Sequence, residues 1–127
     1  MTSSSAAAAN KALVSKVMDA VFVRRDSSVV ERYFARAYTQ HNPAIPSGRD
    51  AIPPLISHLA PGFRYEPGMI VAEGDLVMIH GRYTGWGPEP MVAVDIFRVV
   101  DGQLVEHWDV LQKEVPAAAT ASGNSMF

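Results

Sequence analysis

The chain has 127 residues, 48% of them hydrophobic and 19% charged, and a net charge of −2. That length suits one compact domain with a sizeable core, and the near-neutral balance excludes a basic footprint for nucleic acid or anionic membranes. No apolar run approaches the roughly 18 residues that span a bilayer, and the absence of cysteine removes disulfides, thiol catalysis and cysteine-ligated zinc.

The opening MTSSSAAAAN has neither a basic start nor a long apolar core, so it makes a poor secretory signal. Residues 1–9 are expected to be a disordered leader, and the lack of cysteine fits a reducing, cytoplasmic setting. From residue 10 to 24, Leu13, Val14, Val17, Met18, Val21 and Phe22 recur at helical spacing and form one apolar stripe. Arg24, Arg25 and Asp26 read as a solvated helix end. A second helix is expected from about residue 28. Ser28 and Glu31 stand there in capping-box register ahead of Val29, Val30, Tyr33 and Phe34. In YTQHNPAIPSGRD, Pro43, Pro46 and Gly48 argue for a loop. Asp50 can then cap a third helix, AIPPLISHLA, provided that Pro53 and Pro54 lie in its first turn. His58 on that helix reads as a surface residue.

Beyond Gly62 the pattern changes. FRYEPGMIVAE, DLVMIHGRYTG, PMVAVDIFRVV and QLVEHWDVLQK are rich in β-branched and aromatic residues and are separated by EGD, WGPEP and DG. Consecutive strands with short turns form an antiparallel meander, with Pro67 marking an edge or a bulge. The expected class is therefore α+β: three N-terminal helices packed on a curved antiparallel sheet that encloses a pocket, over residues 10–115. Residues 116–127 form a low-complexity tail ending in Met126 and Phe127, an apolar end suited to docking on the domain or on a partner subunit.

The chemistry-bearing signal is a set of polar residues inside apolar strands. His80 sits in LVMIHGRY, Asp95 in MVAVDIFRVV, and His107 with Asp109 in LVEHWDV. Residues two apart on a strand share a face, so His107 and Asp109 point the same way. A buried, unpaired carboxylate is costly, which places Asp95 near a surface, in an ion pair or in a hydrated pocket. Convergence depends on the Asp101-Gly102 turn. A two-residue type I′ turn pairs Val100 with Gln103 and sets Asp95 opposite Trp108, away from His107. A three-residue turn with a G1 bulge pairs Val99 with Gln103 and sets Asp95 opposite His107. Asp-Gly suits both.

In YTQHNP, Asn42-Pro43 is turn chemistry, whereas nothing in turn formation asks for His41. There is no phosphate-binding glycine loop between a strand and a helix and no G-x-S-x-G elbow. His41, His58, His80 and His107 show no local ligand spacing, so no metal site is expected.

The runs YTQHNPAIPSGRDAI, GDLVMIHGRYTG and VDIFRVVDGQLVEHWDVLQ, with the ending GNSMF, resemble the SnoaL-like polyketide cyclase family of the nuclear-transport-factor-2-like superfamily. The likeness covers roughly residues 10 to 127. It implies a cone-shaped fold with a deep apolar pocket, a homodimer formed through the outer sheet face, and no metal or organic cofactor. It also implies an Asp that removes a proton alpha to a carbonyl and a His that assists during aldol ring closure. Asp95 matches the base and His80 the assisting residue, with His107 as a further proton partner. His41 and Asp109 match positions facing or rimming the pocket, and Trp108, Phe97 and Tyr33 join them as ligand contacts.

The expected function is thus cofactor-independent cyclase or isomerase chemistry on a small apolar carbonyl compound. The alternatives are a non-catalytic dimeric module that binds a small apolar ligand, and metal-assisted chemistry using His41, His80 and His107.

Overall fold

The computed structural model describes residues 3–127, with side chains from Ser5 onward. Helix α1 (Ser3–Phe22) is followed by a short 3-10 turn, a one-turn helix α2 (Val30–Tyr33), strand β1 (Phe34–Gln40) and helix α3 (Ile52–Ser57). Four strands then run in succession: β2 (Arg64–Glu73), β3 (Leu76–Thr84), β4 (Met91–Val100) and β5 (Gln103–Lys113). The expected stripe on α1 is present, with Val14, Val17, Met18 and Val21 all buried. α1 begins earlier than expected, so residues 3–9 are helical rather than a disordered leader; Met1 and Thr2 lie outside the described residues.

Three local expectations need correction. Asp26, not Ser28, opens the second helical stretch, its carboxylate accepting from the Ser28 N–H at 2.9 Å. No side chain caps α3: a 3-10 turn over Arg49–Ala51 leads into it, and Asp50 lies inside that turn, while the prolines occupy the first turn of α3 as expected. Arg25 is not merely solvated, because its guanidinium donates to the Leu59 and Ala60 carbonyls at 3.3 and 2.7 Å. It ties the end of α1 to the segment after α3.

The sheet order is β1-β5-β4-β3-β2, and β2 to β5 form the expected antiparallel meander. The sheet as a whole is mixed and open, because β1 runs parallel to β5, with Gln40 beside His107. From Phe34 onward the chain is strand and not a continuation of the second helix. Its residues FARAY suit a helix locally, and only pairing with β5 makes them a strand. The helices cover one face of the sheet, where Phe34, Tyr38, Phe63, Tyr65, Val77, Ile79, Tyr83, Phe97 and Leu104 join the α1 stripe in one core.

Irregularities bend the strands. β2 breaks register between Pro67 and Ile70, in keeping with the expected edge or bulge at Pro67, and β5 carries one extra residue. Asp101 and Gly102 have φ of 51° and 73°, a type I′ turn that pairs Val100 with Gln103. Val99 then pairs with Leu104 but Arg98 with Glu106, leaving Val105 as the bulged residue. Neither register foreseen for this hairpin occurs. The turn is the two-residue form, yet the bulge two pairs further on restores the parity of the other form. Asp95 lies opposite Asp109, and His107 opposite Phe97.

The C-terminal tail returns to the outer sheet face. The Phe127 ring lies 4.6 Å beneath the Arg82 guanidinium and 5.7 Å from the His80 ring. It also packs on Gly68, where an added Cβ would come within 3.0 Å of the Phe127 ring and 2.9 Å of the His80 carbonyl. Among the described residues no helix is long and apolar enough to cross a membrane.

Candidate active site

Alternation along three strands builds the site. On β4, Asp95 and Phe97 face the helices; on β5, His107, Asp109 and Leu111 do; and Tyr38, Gln40 and Asn42 alternate inward along β1 and just past it. With Met18, Val21 and Phe22 of α1, Ile52 and Leu55 of α3, and Tyr83 and Trp86, they line a cavity of about 560 Å³ counted out to its mouth. The lining is mostly apolar, with its polar groups gathered on β1, β4 and β5, the usual design of a small-molecule site.

At the centre, His107 Nε2 lies 2.8 Å from Asp95 Oδ1, and the Tyr83 hydroxyl donates to Asp95 Oδ2 at 2.6 Å. His107 Nδ1 is 2.5 Å from Gln40 Oε1, which also accepts the Asn42 backbone N–H at 3.0 Å. Because a backbone N–H can only donate, that Gln40 atom acts as an acceptor, so Nδ1 must carry a proton. Nε2 and Asp95 Oδ1 therefore meet across a single proton. Both Asp95 oxygens are occupied, and the side chains of the pair are only 6% and 7% exposed.

Asp109 is held differently. Asn42 Oδ1 accepts the Ala44 N–H at 2.8 Å, which turns its amide nitrogen to donate to Asp109 Oδ2 at 2.7 Å. His107 Nε2 lies 3.9 Å from the same oxygen. Burial raises the Asp109 carboxyl above its usual range and the Asp95 charge adds to the rise, while the Asn42 hydrogen bond and His107 oppose it. Its Oδ1 has no hydrogen-bond partner among the described residues.

Tyr38 lines the same cavity, and its hydroxyl too has no partner among the described residues. Burial, with the charges of Asp95 and Asp109, pushes the Tyr38 phenol upward, so it stays protonated and can donate. One nitrogen or oxygen atom from each of Asp95, His107 and Asp109 lies within 4.8 Å of the others, the only such group found among the described residues. These three could chelate a hard cation only by breaking the Asp95–His107 hydrogen bond.

Of the residues singled out in the sequence, Asp95, His107, Asp109 and Phe97 meet in this cavity. The other four do not. His80 follows Ile79, which pairs with Asp95, so alternation turns His80 to the outer face beside Phe127. Trp108 lies between the two inward residues of β5 and points outward. It stacks on His41 with ring centroids 4.8 Å apart, and His41 Nε2 is 2.8 Å from Glu106. Tyr33, at the end of α2, accepts a hydrogen bond from Lys16. His107 thus lies in the cavity while His41 and His80 lie outside it with separate partners, and the three do not converge on a metal site. Sequence reasoning missed Tyr38, Gln40 and Tyr83 and took Asn42 for turn chemistry alone. For Tyr38, Gln40 and Asn42 the signal is a period of two across YTQHN, visible once the segment entering it is read as a strand.

An α+β chain with a buried carboxylate–imidazole group in an apolar cavity has the architecture of a small-molecule site. A family model described as a SnoaL-like domain matches residues 14–107, and the chain belongs to that family. Solved structures share the fold. One is provisionally named a ketosteroid isomerase, from Kribbella flavida; it is 19% identical, with 84% of this chain and 80% of that one covered, at a TM-score of 0.73. Another is an NTF2-like protein of unknown function from Mesorhizobium loti, 24% identical, covering 84% and 93%, at 0.70. A third is an LEH-like epoxide hydrolase from M. tuberculosis, 18% identical, covering 84% of each chain, at 0.68. At these identities they share the architecture alone. Among proteins of curated function no significant match was found.

Proposed function

We propose that this protein is a cofactor-independent proton-transfer enzyme of the cyclase or isomerase type, acting on a small apolar carbonyl compound. The observation that carries this reading is the pair of carboxylates around His107, Asp95 buried with both oxygens engaged and Asp109 partly buried with one oxygen free among the described residues. Asp95 was the base suggested by the sequence resemblance, but its two oxygens are engaged by His107 and Tyr83. Asp109 has an unengaged oxygen and a basicity raised by burial, so the base role is assigned to Asp109.

In the proposed reaction Asp109 takes the proton from the carbon alpha to the carbonyl. The C–H electrons pass into an enolate whose oxygen accepts a hydrogen bond from Tyr38. Returning the proton to another carbon of the conjugated system isomerises the substrate. Attack of the enolate carbon on a second carbonyl of the same molecule instead forms a C–C bond, and the new alkoxide recovers the proton from Asp109. The Asp95–His107 pair holds one proton beside the base and fixes the local charge. Removing a single oxyanion donor typically lowers turnover by about 10²–10³-fold. Tyr38→Phe is therefore expected to slow deuterium uptake at the alpha carbon of cyclic and aryl ketones by about that factor, measured by NMR in D₂O. Uptake at the wild-type rate would remove Tyr38 from the mechanism.

The same reading includes a homodimer through the outer sheet face. Met69, Val71 and Val110 are 71%, 60% and 68% exposed there, a concentration of large apolar side chains that suits a covered face. Val110→Lys is expected to convert a dimer to a monomer in light scattering, with an unchanged circular dichroism spectrum. A wild-type monomer would discard this part of the reading.

A further inference from the structure

The one buried side-chain polar atom without a hydrogen-bond partner among the described residues is the Tyr65 hydroxyl. Tyr65 is 7% exposed, on β2, and its ring lies against Gly81 of β3, where an added Cβ would come within 3.1 Å of it. Its ring centroid is 4.9 Å from that of Tyr83, whose own hydroxyl is committed to Asp95. Leaving a buried hydroxyl unpaired is costly, and such groups in native structures call for an explanation. Phenylalanine would fill the same space without that cost. Packing alone therefore does not account for a tyrosine here.

A second cavity supplies the context. It lies between α1 and the bulged part of β2, has about 590 Å³ counted to its mouth, and is walled by Tyr65, Met18, Asp19, Pro67, Ile70 and Ile79, among others. Met18 lines both this cavity and the one that holds Asp109. Met18, an unbranched and flexible side chain, is thus a wall shared by the two, beside the contacts of Tyr65 with Phe22 and Tyr83.

We infer that the two cavities form one elongated ligand site when Met18 swings aside, and that the Tyr65 hydroxyl then donates to an oxygen at the far end of the ligand. The ligand class is an apolar carbonyl compound longer than a single ring, with a hydroxyl or second carbonyl remote from the reacting carbon. This inference rests on the proton-transfer site being the ligand site, and it adds a specificity-determining residue to it.

The probes are benzylacetone and its para-hydroxy analogue, which share a methyl ketone and differ only in the remote oxygen. Wild type is expected to bind the hydroxy analogue about tenfold more tightly by calorimetric titration, and Tyr65→Phe to bind the two equally. Tyr65→Phe should keep or raise the melting temperature, since it removes an unpartnered polar atom. Met18→Ala should tighten both probes several-fold. Equal binding by wild type, a preference that survives in Tyr65→Phe, a fall in its melting temperature, or no gain in Met18→Ala each overturns the inference. Because binding is read without turnover, failure of the base assignment shows separately, as deuterium uptake that persists in Asp109→Asn.

Discussion

Asp109→Asn is expected to lower alpha-proton exchange by about 10²–10⁴-fold, the range contributed by a positioned general base. Asparagine keeps the shape of the side chain and an oxygen for the Asn42 amide, which donates to Oδ2 at 2.7 Å, so the fold should tolerate the change. Only the capacity to take a proton is lost. The pH dependence gives a second signature. Burial raises the Asp109 carboxyl, so the basic form appears, and activity rises, only as pH climbs through that raised value. Stability runs the other way. A group with a raised folded-state value contributes most below its unfolded value of about 3.9, and that contribution is lost as pH rises through the folded value. In that window wild type should gain activity while losing stability, and Asp109→Asn should show neither slope. Exchange that persists in Asp109→Asn at the wild-type rate would discard the base assignment.

Asp95→Ala is expected to be the most destabilising of these changes, by about 3–5 kcal/mol, the usual cost of removing one partner of a buried pair. It strips the Tyr83 hydroxyl and His107 Nε2 of their shared partner at once. For a domain of this size that corresponds to a fall in melting temperature of roughly 10–20 °C. The double variant with His107→Ala should lose less than the sum of the single changes, because the second substitution removes a group already left without its partner. Additive losses would show that the two side chains do not act as a unit. Asp95 thus organises the site even though the base role passes to Asp109.

Much of this arrangement was legible in the chain. The four apolar strands and the Asp-Gly turn are visible in composition and period, and a carboxylate inside MVAVDIFRVV signals a pocket because burying it otherwise is costly. The helical stripe around Met18 is equally plain. What escaped depends on contacts distant in sequence. FARAY is a strand only because β5 lies beside it, so Tyr38 and Gln40, read as the start of a loop, gave no sign of facing a cavity. His80 looked equivalent to Asp95, yet the pairing of Ile79 with Asp95 sends it to the other face. The bulge at Val105 has no residue signature of its own: a valine in a valine-rich strand announces nothing.

That bulge has a genetic corollary. Removing the codon for Val105 would close the ladder without moving any other pair, because Val99 already faces Leu104 and Arg98 already faces Glu106. Leu104, His107 and Asp109 would stay on the cavity side in regular alternation, and Glu106 and Trp108 on the outer side. A homologue one residue shorter at this position can therefore hold the same group of side chains. The His-Trp-Asp triplet opposite Asp95 is the marker of shared chemistry among relatives, and the spacing between Gly102 and His107 is not.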